Sequence, residues 1–289
     1  MSDLKKILQQ ARSNGTAVAH FNVADLVMLN AIEASARELH VPVIVGVSEG
    51  ERDFIGVRQI AALVRSLREE HGLPIFLNAD HTHSLAKAVE AARAGFDAVA
   101  FDASAQPLER NAVSTREAVE ALKAINPGLL VEGEIGDIGT GSQIHETAPD
   151  VTAGLTTPEE ARQFVEATGV DILAPAVGNR HGMVRSMLES GARTHLDIAR
   201  IEAIKAAAPV FLTLHGGSGT DDRDLSAAIA AGMEIIHINT ELRVAWRRGL
   251  EDGLARLPDD VVPYRVLPFA VASVREVAMQ RLRLMNRKP

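Results

Sequence analysis

The chain has 289 residues, 46% hydrophobic and 24% charged, with a net charge of −8 and no cysteine. That composition supports a large globular core and excludes disulfides and thiolate metal ligands. The negative charge is spread along the chain and no apolar run is long enough to span a bilayer, which argues against nucleic-acid and membrane roles.

The opening stretch "MSDLKKILQQARSNG" reads as a short polar helix. It lacks the apolar centre of a signal peptide, so a cytoplasmic protein is expected. Eight short β-rich runs follow: "AVAHFNV" (17–23), "PVIVGVS" (42–48), "PIFLNAD" (74–80), "DAVAFDA" (97–103), "LLVEGEIG" (129–136), "DILAPAV" (171–177), "VFLTLHG" (210–216) and "EIIHINT" (234–240). Between them lie segments such as "LVMLNAIEASARELH", "SLAKAVEAARAG" and "DDRDLSAAIAAG", with apolar residues at helical spacing and exits at Gly or before Pro.

Eight consecutive βα units predict an α/β fold. The expected architecture is a single (β/α)8 TIM barrel over residues 1–289, with an extra C-terminal helix at 269–285. A doubly wound open sheet is the alternative, but no GxGxxG follows the first strand. The Gly-, Ser- and Thr-rich segment 136–157 is long for a connection, which predicts a functional lid or disorder.

In such a barrel the chemistry gathers at the C-terminal ends of the strands. Those positions hold Asn22, Ser48, Asp80, His81, Asp102, Glu132, Glu134, Asn179, His181, His215, His237, Asn239 and Thr240. A lone histidine at a strand end is usually structural. His81, His181 and His215 occupy equivalent places on three strands, which coincidence explains poorly. Three imidazoles and a carboxylate suit Zn2+, or Co2+, Fe2+ or Mn2+, with one position left for substrate. Glu134 is the best-placed carboxylate. Glu132 shares its face two residues earlier and reads as a deeper support or a remote ligand. "HGGSG" (215–219) and "NTE" (239–241) follow the last two strands, where barrels commonly bind phosphate through turned-in backbone amides and a helix start.

Together, "ADH" (79–81), "VEGEIG" (131–136), "TGVDILAPAVGNRHG" (168–182), "LHGGSG" (214–219) and "INTELR" (238–243) resemble the class II, metal-dependent fructose-bisphosphate/tagatose-bisphosphate aldolase family over essentially the whole chain. The resemblance implies a zinc-type ion on His81, His181 and His215, with Glu134 as an exchanging ligand. It implies Asp80 as the acid–base at the C4 hydroxyl. Gly182, Gly216, Ser218 and Thr240 would hold the phosphate of a sugar-phosphate substrate, with Asn22, Ser48, His237 and Asn239 completing the substrate site. A monovalent cation (Na+ or K+) and a homodimer or homotetramer also follow from it. A Schiff-base mechanism needs a lysine at a strand end. Lys5, Lys6, Lys87, Lys123, Lys205 and Lys288 fall in predicted helices or at a terminus.

Three departures stand out. The family usually has Asn where this chain has His237, and Lys where it has Ile235. The family's Glu on the loop after strand five is absent from its usual place in "DIGTGSQIHE", which leaves Glu146 as the nearest candidate and Asp137 as a weaker one. His83 reads as a supporting or surface residue. Arg275, Arg281 and Arg283 read as a solvated helix face, or as groups reaching a neighbour's phosphate. The competing readings are an aldolase-like barrel for another phosphorylated ketose, a metal-dependent hydrolase suggested by "HTH" (81–83), and a sugar-phosphate binder without turnover.

Overall fold

Apolar runs without period-two alternation imply strands covered on both faces, as in a parallel sheet wrapped by helices. The computed structural model describes residues 3–139, 141, 143–146 and 154–288, and its strands follow this rule. In chain order the elements are α1 (Leu4–Asn14), β1 (Val18–Asn22), α2 (Leu26–Leu39), β2 (Val43–Val47), α3 (Glu49–Ile55), α4 (Val57–His71), β3 (Ile75–Thr82), α5 (Leu85–Ala94), β4 (Ala98–Phe101), α6 (Leu108–Ile125) and β5 (Leu130–Ile135). There follow β6 (Ile144–His145), α7 (Pro158–Thr168), β7 (Ile172–Pro175), β8 (Met183–Val184), α8 (Arg185–Glu189), α9 (Ile198–Ala207), β9 (Phe211–Leu214), α10 (Asp222–Ala230), β10 (Met233–Ile238), α11 (Thr240–Arg256) and α12 (Pro263–Met285).

Strands β1, β2, β3, β4, β5, β7, β9 and β10 close into one barrel in that circular order, every neighbouring pair parallel. This is the expected (β/α)8 TIM barrel, and each strand matches a run read from the sequence. Local chemistry sets the helix starts. Asp25 caps α2 through the Met28 amide, and Thr157 with Glu160 forms a capping box on α7, whose first residue is Pro158.

Three features go beyond the simple repeat. Two helices, α3 and α4, separate β2 from β3. Within 136–157, where a lid was expected, β6 pairs in parallel with β8; residues 140, 142 and 147–153 of that segment lie outside the described residues. The last helix starts at Pro263, ahead of its expected start at 269, and runs through Pro268. Among the described residues no helix is long and apolar enough to cross a membrane.

The barrel interior is layered, because inward side chains recur every second residue. Its floor is apolar: Val18, Ile44, Phe76, Ala98, Leu130, Ile172, Phe211 and Ile235, one per strand, pack under Leu4, Leu8 and Ala11 of α1. Ile235, which departs from the family's Lys, belongs to this plug. Two residues further along each strand come His20, Gly46, Asn78, Ala100, Glu132, Ala174, Thr213 and His237. The next inward step reaches Asn22, Asp80, Asp102, Glu134 and His215. Polarity therefore rises from floor to mouth, and this gradient places the site.

Candidate active site

Adjacent strand residues normally face opposite sides, so Asp80 and His81 should not share a cleft. They do, because the β3–β4 register shifts between Ala79 and Thr82 and His81 takes a positive φ of 41°. Such a bulge re-aims a side chain. Buried Arg52 holds it in place: Nη1 donates to the carbonyl of Asp80 (3.1 Å) and Nη2 to Thr82 Oγ1 (2.9 Å).

The bulge turns His81 toward Glu134, His181 and His215. One ligand atom from each lies within 4.8 Å of the others. Among the described residues, Glu134 Oε2, His181 Nε2 and His215 Nδ1 are buried without any hydrogen-bond partner. Buried polar atoms are rarely left so, and a shared cation would satisfy all three. Carboxylates steady the outer ring nitrogens. His81 Nδ1 lies 3.0 Å from Asp102 Oδ2, and His215 Nε2 lies 2.6 Å from Glu132 Oε1. This carboxylate–histidine pattern orients metal-binding imidazoles. Ser104 Oγ lies 2.6 Å from Asp102 Oδ1 and 3.1 Å from Glu134 Oε1, bridging the two carboxyl groups with its single proton given to one of them. The donor set fits a zinc-type ion, which would draw electron density from a substrate carbonyl.

The group electrostatics agree with a cluster built around missing positive charge. Burial pushes the Glu134 carboxyl up to about 7, and Asp102 adds to the shift. Burial opposes charge on His81, yet Asp80, Asp102 and Glu134 raise it to about 10. Burial likewise opposes charge on His215, and Glu132 more than offsets it. His181 is lowered well below the usual imidazole range by burial and by the neighbouring His81 and His215.

Asp80 stands beside this cluster. Its Oδ2 accepts from Asn22 Nδ2 at 2.9 Å; the same amide reaches Glu51 at 3.0 Å, and Arg243 Nη2 donates to Glu51 at 2.7 Å. Among the described residues Asp80 Oδ1 has no hydrogen bond, and it lies 3.5 Å from His237 Nδ1. Burial works against the Asp80 charge, but His81, His237, His20 and His215 hold it well below the ordinary carboxylate range. A buried, ionised carboxylate with one unoccupied oxygen is equipped to take a proton from a bound hydroxyl.

His20 was not foreseen. It is fully buried, stacks on His237 with ring centroids 3.5 Å apart, and His237 stacks in turn on His215 at 4.0 Å. Burial lowers His20 to about 4, so the stack is neutral at that ring. Two-residue spacing from Asn22 was the available signal, masked by the apolar run around it. Ligand atoms of His20, Asp80 and His237 also lie within 4.8 Å of one another, but face-to-face rings direct their in-plane lone pairs poorly at one ion; His20 Nε2 instead lies 3.0 Å from Asn78 Nδ2.

The side of the cleft formed after β9 and β10 is built from interlocked turns. Gly216 has φ 63°, and a Cβ there would meet the Arg180 carbonyl at 2.0 Å. Gly217 N–H donates to the His237 carbonyl (3.0 Å). Ser218 Oγ accepts from the amide of Asn239 (3.1 Å), at the N-terminus of α11. Gly219 N–H donates to Glu241 Oε1 (2.8 Å), and Arg281 of α12 donates twice to Glu241 (2.7 and 2.8 Å). Arg281 is thus buried in an ion-pair network behind the loop, not on the solvated face expected of it. Arg275 is exposed and pairs with Glu38.

Asn22, Asp80, His81, His181, Gly182, Gly216, Ser218, His237, Asn239 and Thr240 line one cleft, next to Glu134. His215 and Glu134 join it only through the ligand cluster, and two expected residues, Ser48 and Glu146, belong to neither the lining nor the cluster. Ser48 is the N-cap of α3, in a capping box with Glu51. Glu146 is exposed and forms a bidentate pair with Arg185 (2.6–3.1 Å). His83 is exposed, with Nδ1 3.2 Å from the Asp102 carbonyl. Lys87, Lys123 and Lys205 pair with Asp53, Asp171 and Glu234, away from the cleft.

The sequence pattern described as fructose-bisphosphate aldolase class II matches residues 2–288. The chain belongs to the class II fructose-bisphosphate aldolase family. It is 33% identical to the probable fructose-bisphosphate aldolase of Bacillus subtilis, covering 97% of this chain and 95% of that one. It is 32% identical to the fructose-bisphosphate aldolase of Thermus caldophilus, covering 97% and 96%. Among solved structures, the YdjI aldolase of Escherichia coli K12 superposes with a TM-score of 0.83 at 28% identity, over 98% of this chain and 97% of that one. As a class II aldolase the protein is a lyase, in a family that depends on metal.

Proposed function

We propose that the protein catalyses the reversible retro-aldol cleavage of fructose 1,6-bisphosphate or tagatose 1,6-bisphosphate to dihydroxyacetone phosphate and glyceraldehyde 3-phosphate. The carrying observation is the convergence of four ligand atoms on His81, Glu134, His181 and His215 beside Asp80 and its unbonded Oδ1. Zn2+, or Co2+, Fe2+ or Mn2+, bound there would polarise the C2 carbonyl and offset charge developing on the substrate. Asp80 takes the C4 hydroxyl proton as the C3–C4 bond breaks, and the new C4 carbonyl leaves with the aldehyde. Asn22 fixes the Asp80 carboxylate for that transfer. Gly182, Gly216, Ser218 and Thr240 receive the phosphate of the triose half at the start of α11, where amide dipoles favour an anion. Asn239 and His237 face the sugar. Na+ or K+ beside that phosphate, a homodimer or homotetramer and a cytoplasmic location complete the reading.

His237, where the family usually has Asn, favours a second reading: another phosphorylated ketose. A triose-phosphate release assay on both bisphosphates and on singly phosphorylated ketoses, with and without EDTA and added Zn2+, tests both. Metal-dependent release is expected. Full cleavage by EDTA-stripped, metal-free protein would refute the metal mechanism, and the ranking of kcat/KM values names the substrate.

A further inference from the structure

Asp80 has to offer one oxygen to a substrate hydroxyl while the rest of its carboxylate stays still. The short helix α3, which goes beyond the simple repeat, sits next to it. Two consecutive residues of α3, Glu51 and Arg52, are charged and buried. Arg52 grips the main chain of the bulge at the Asp80 carbonyl. Glu51 reaches the side chain of Asp80 by way of Asn22.

The contacts form one chain. Arg243 Nη2, one turn into α11, donates to Glu51 Oε1 at 2.7 Å. Glu51 Oε2 accepts from the Ser48 amide at 2.7 Å and from Asn22 Nδ2 at 3.0 Å. Asn22 Nδ2 also donates to Asp80 Oδ2 at 2.9 Å. A side-chain amide nitrogen carries two protons, and both are committed to carboxylates. A carboxylate ion only accepts, so Asn22 cannot turn over and present its oxygen to Asp80 without losing both bonds. With Oδ2 held in this way, Asp80 keeps Oδ1 for the substrate.

Helix α7 shows what capping alone requires. It begins with the same capping box, and among the described residues its Glu160 carboxylate engages only Thr157, at 2.7–2.8 Å. Glu51 has two donors from distant elements in addition to Ser48. Taking a carboxylate out of water is costly unless well-aimed donors offset it. A line of donors and acceptors running from α11 through α3 and β1 to β3 does so, and it ends on the oxygen of Asp80 that must not move.

We propose that Glu51 is a positioning residue for the C4 proton transfer. It orients the Asn22 amide, and through it the Asp80 carboxylate, so that Oδ1 stays aimed at the C4 hydroxyl. This rests on the aldolase reading above. Glu51 itself lies outside the lining of the cleft and moves no proton.

The test measures steady-state cleavage of fructose 1,6-bisphosphate, tagatose 1,6-bisphosphate and fructose 1-phosphate by zinc-loaded protein. Glu51→Met removes both acceptor oxygens at similar volume. It is expected to lower kcat roughly 100-fold, the scale of an ångström-sized misplacement, with KM and zinc content within about twofold of the unaltered protein. Glu51→Gln keeps an acceptor oxygen at the same reach and is expected to retain kcat within about tenfold of the unaltered protein. Glu51→Asp keeps the charge but falls one methylene short of Asn22, and its kcat is expected to drop nearly as far as that of Glu51→Met. A role through charge alone predicts the opposite order for Gln and Asp, and that order decides the question even if Glu51→Met does not fold. Because Glu51 acts through Asn22, adding Glu51→Met to Asn22→Ala is expected to lower kcat no further. Near-normal kcat in Glu51→Met, losses that multiply in the double variant, or Glu51→Asp outperforming Glu51→Gln overturns the positioning role and leaves the aldolase reading standing. Unaltered, zinc-loaded protein that cleaves none of the three sugars overturns both.

Discussion

Replacing Gly46 by Ala puts a methyl group into the space of the His20 ring. The added Cβ would sit 2.0 Å from Cε1 and 2.5 Å from Nε2 of His20. Comfortable carbon contacts begin at about 3.5 Å, so the ring has to retreat by roughly 1.5 Å. It has no room to do so, because His237 stacks against it at 3.5 Å and Asn78 Nδ2 holds its Nε2 at 3.0 Å. Overpacking of this kind sits at the upper end of its usual range, about 3 kcal/mol. At roughly 2–4 °C per kcal/mol for a domain of this size class, the melting temperature should fall by about 6–12 °C. Differential scanning calorimetry of Gly46→Ala, His20→Ala and the double variant measures the coupling directly. Removing the ring frees the space for the added methyl group, so the double variant should be more stable than the sum of the two single effects by at least about 1.5 kcal/mol. Strict additivity, or a Gly46→Ala protein melting within about a degree of the parent, would show that His20 is not locked between Gly46 and His237.

Asp80→Asn should lower kcat by about 10²- to 10⁴-fold with zinc content unchanged, measured by steady-state cleavage and metal analysis; near-normal kcat would move the C4 proton transfer elsewhere. Glu132→Gln weakens the hold on His215 Nε2 and should reduce zinc affinity about 10- to 100-fold in competition with a chelator, whereas unchanged affinity removes Glu132 from the support of that ligand. Raised to about 10, His81 carries a proton at neutral pH in the metal-free protein. A ligand must shed its proton, so zinc addition in weak buffer should acidify the solution, and affinity should climb as the pH rises from neutrality toward about 10. No proton release would contradict this charge assignment.

Barrel closure and the strand-end convergence of His81, His181, His215 and Glu134 were legible because both rest on simple periodicities. Hydrophobic runs alternate with helical stretches, and polar residues interrupt those runs at their ends. What lay outside the sequence depended on geometry that no local pattern encodes. The bulge at His81 breaks the two-residue alternation, and only the β3–β4 register reveals it. His20 hides inside an apolar strand. Arg281 looks like any basic residue on a terminal helix until packing brings it to Glu241. Glu146 and His145 are neighbours in sequence. Only the pairing of β6 with β8 sends one into solvent and the other toward Gly182.

The two ends of the chain meet in this fold. Strand β1 pairs with β10, the Ala17 amide donates to the Met285 carbonyl at 3.0 Å, and Arg281 backs the loop that ends at Gly219. A chain stopped before its last helix would leave the β1 edge open or the loop at 215–219 without its rear support. The last helix is therefore part of the wall of the cleft, although its Arg281 lies about forty residues beyond the barrel's final strand.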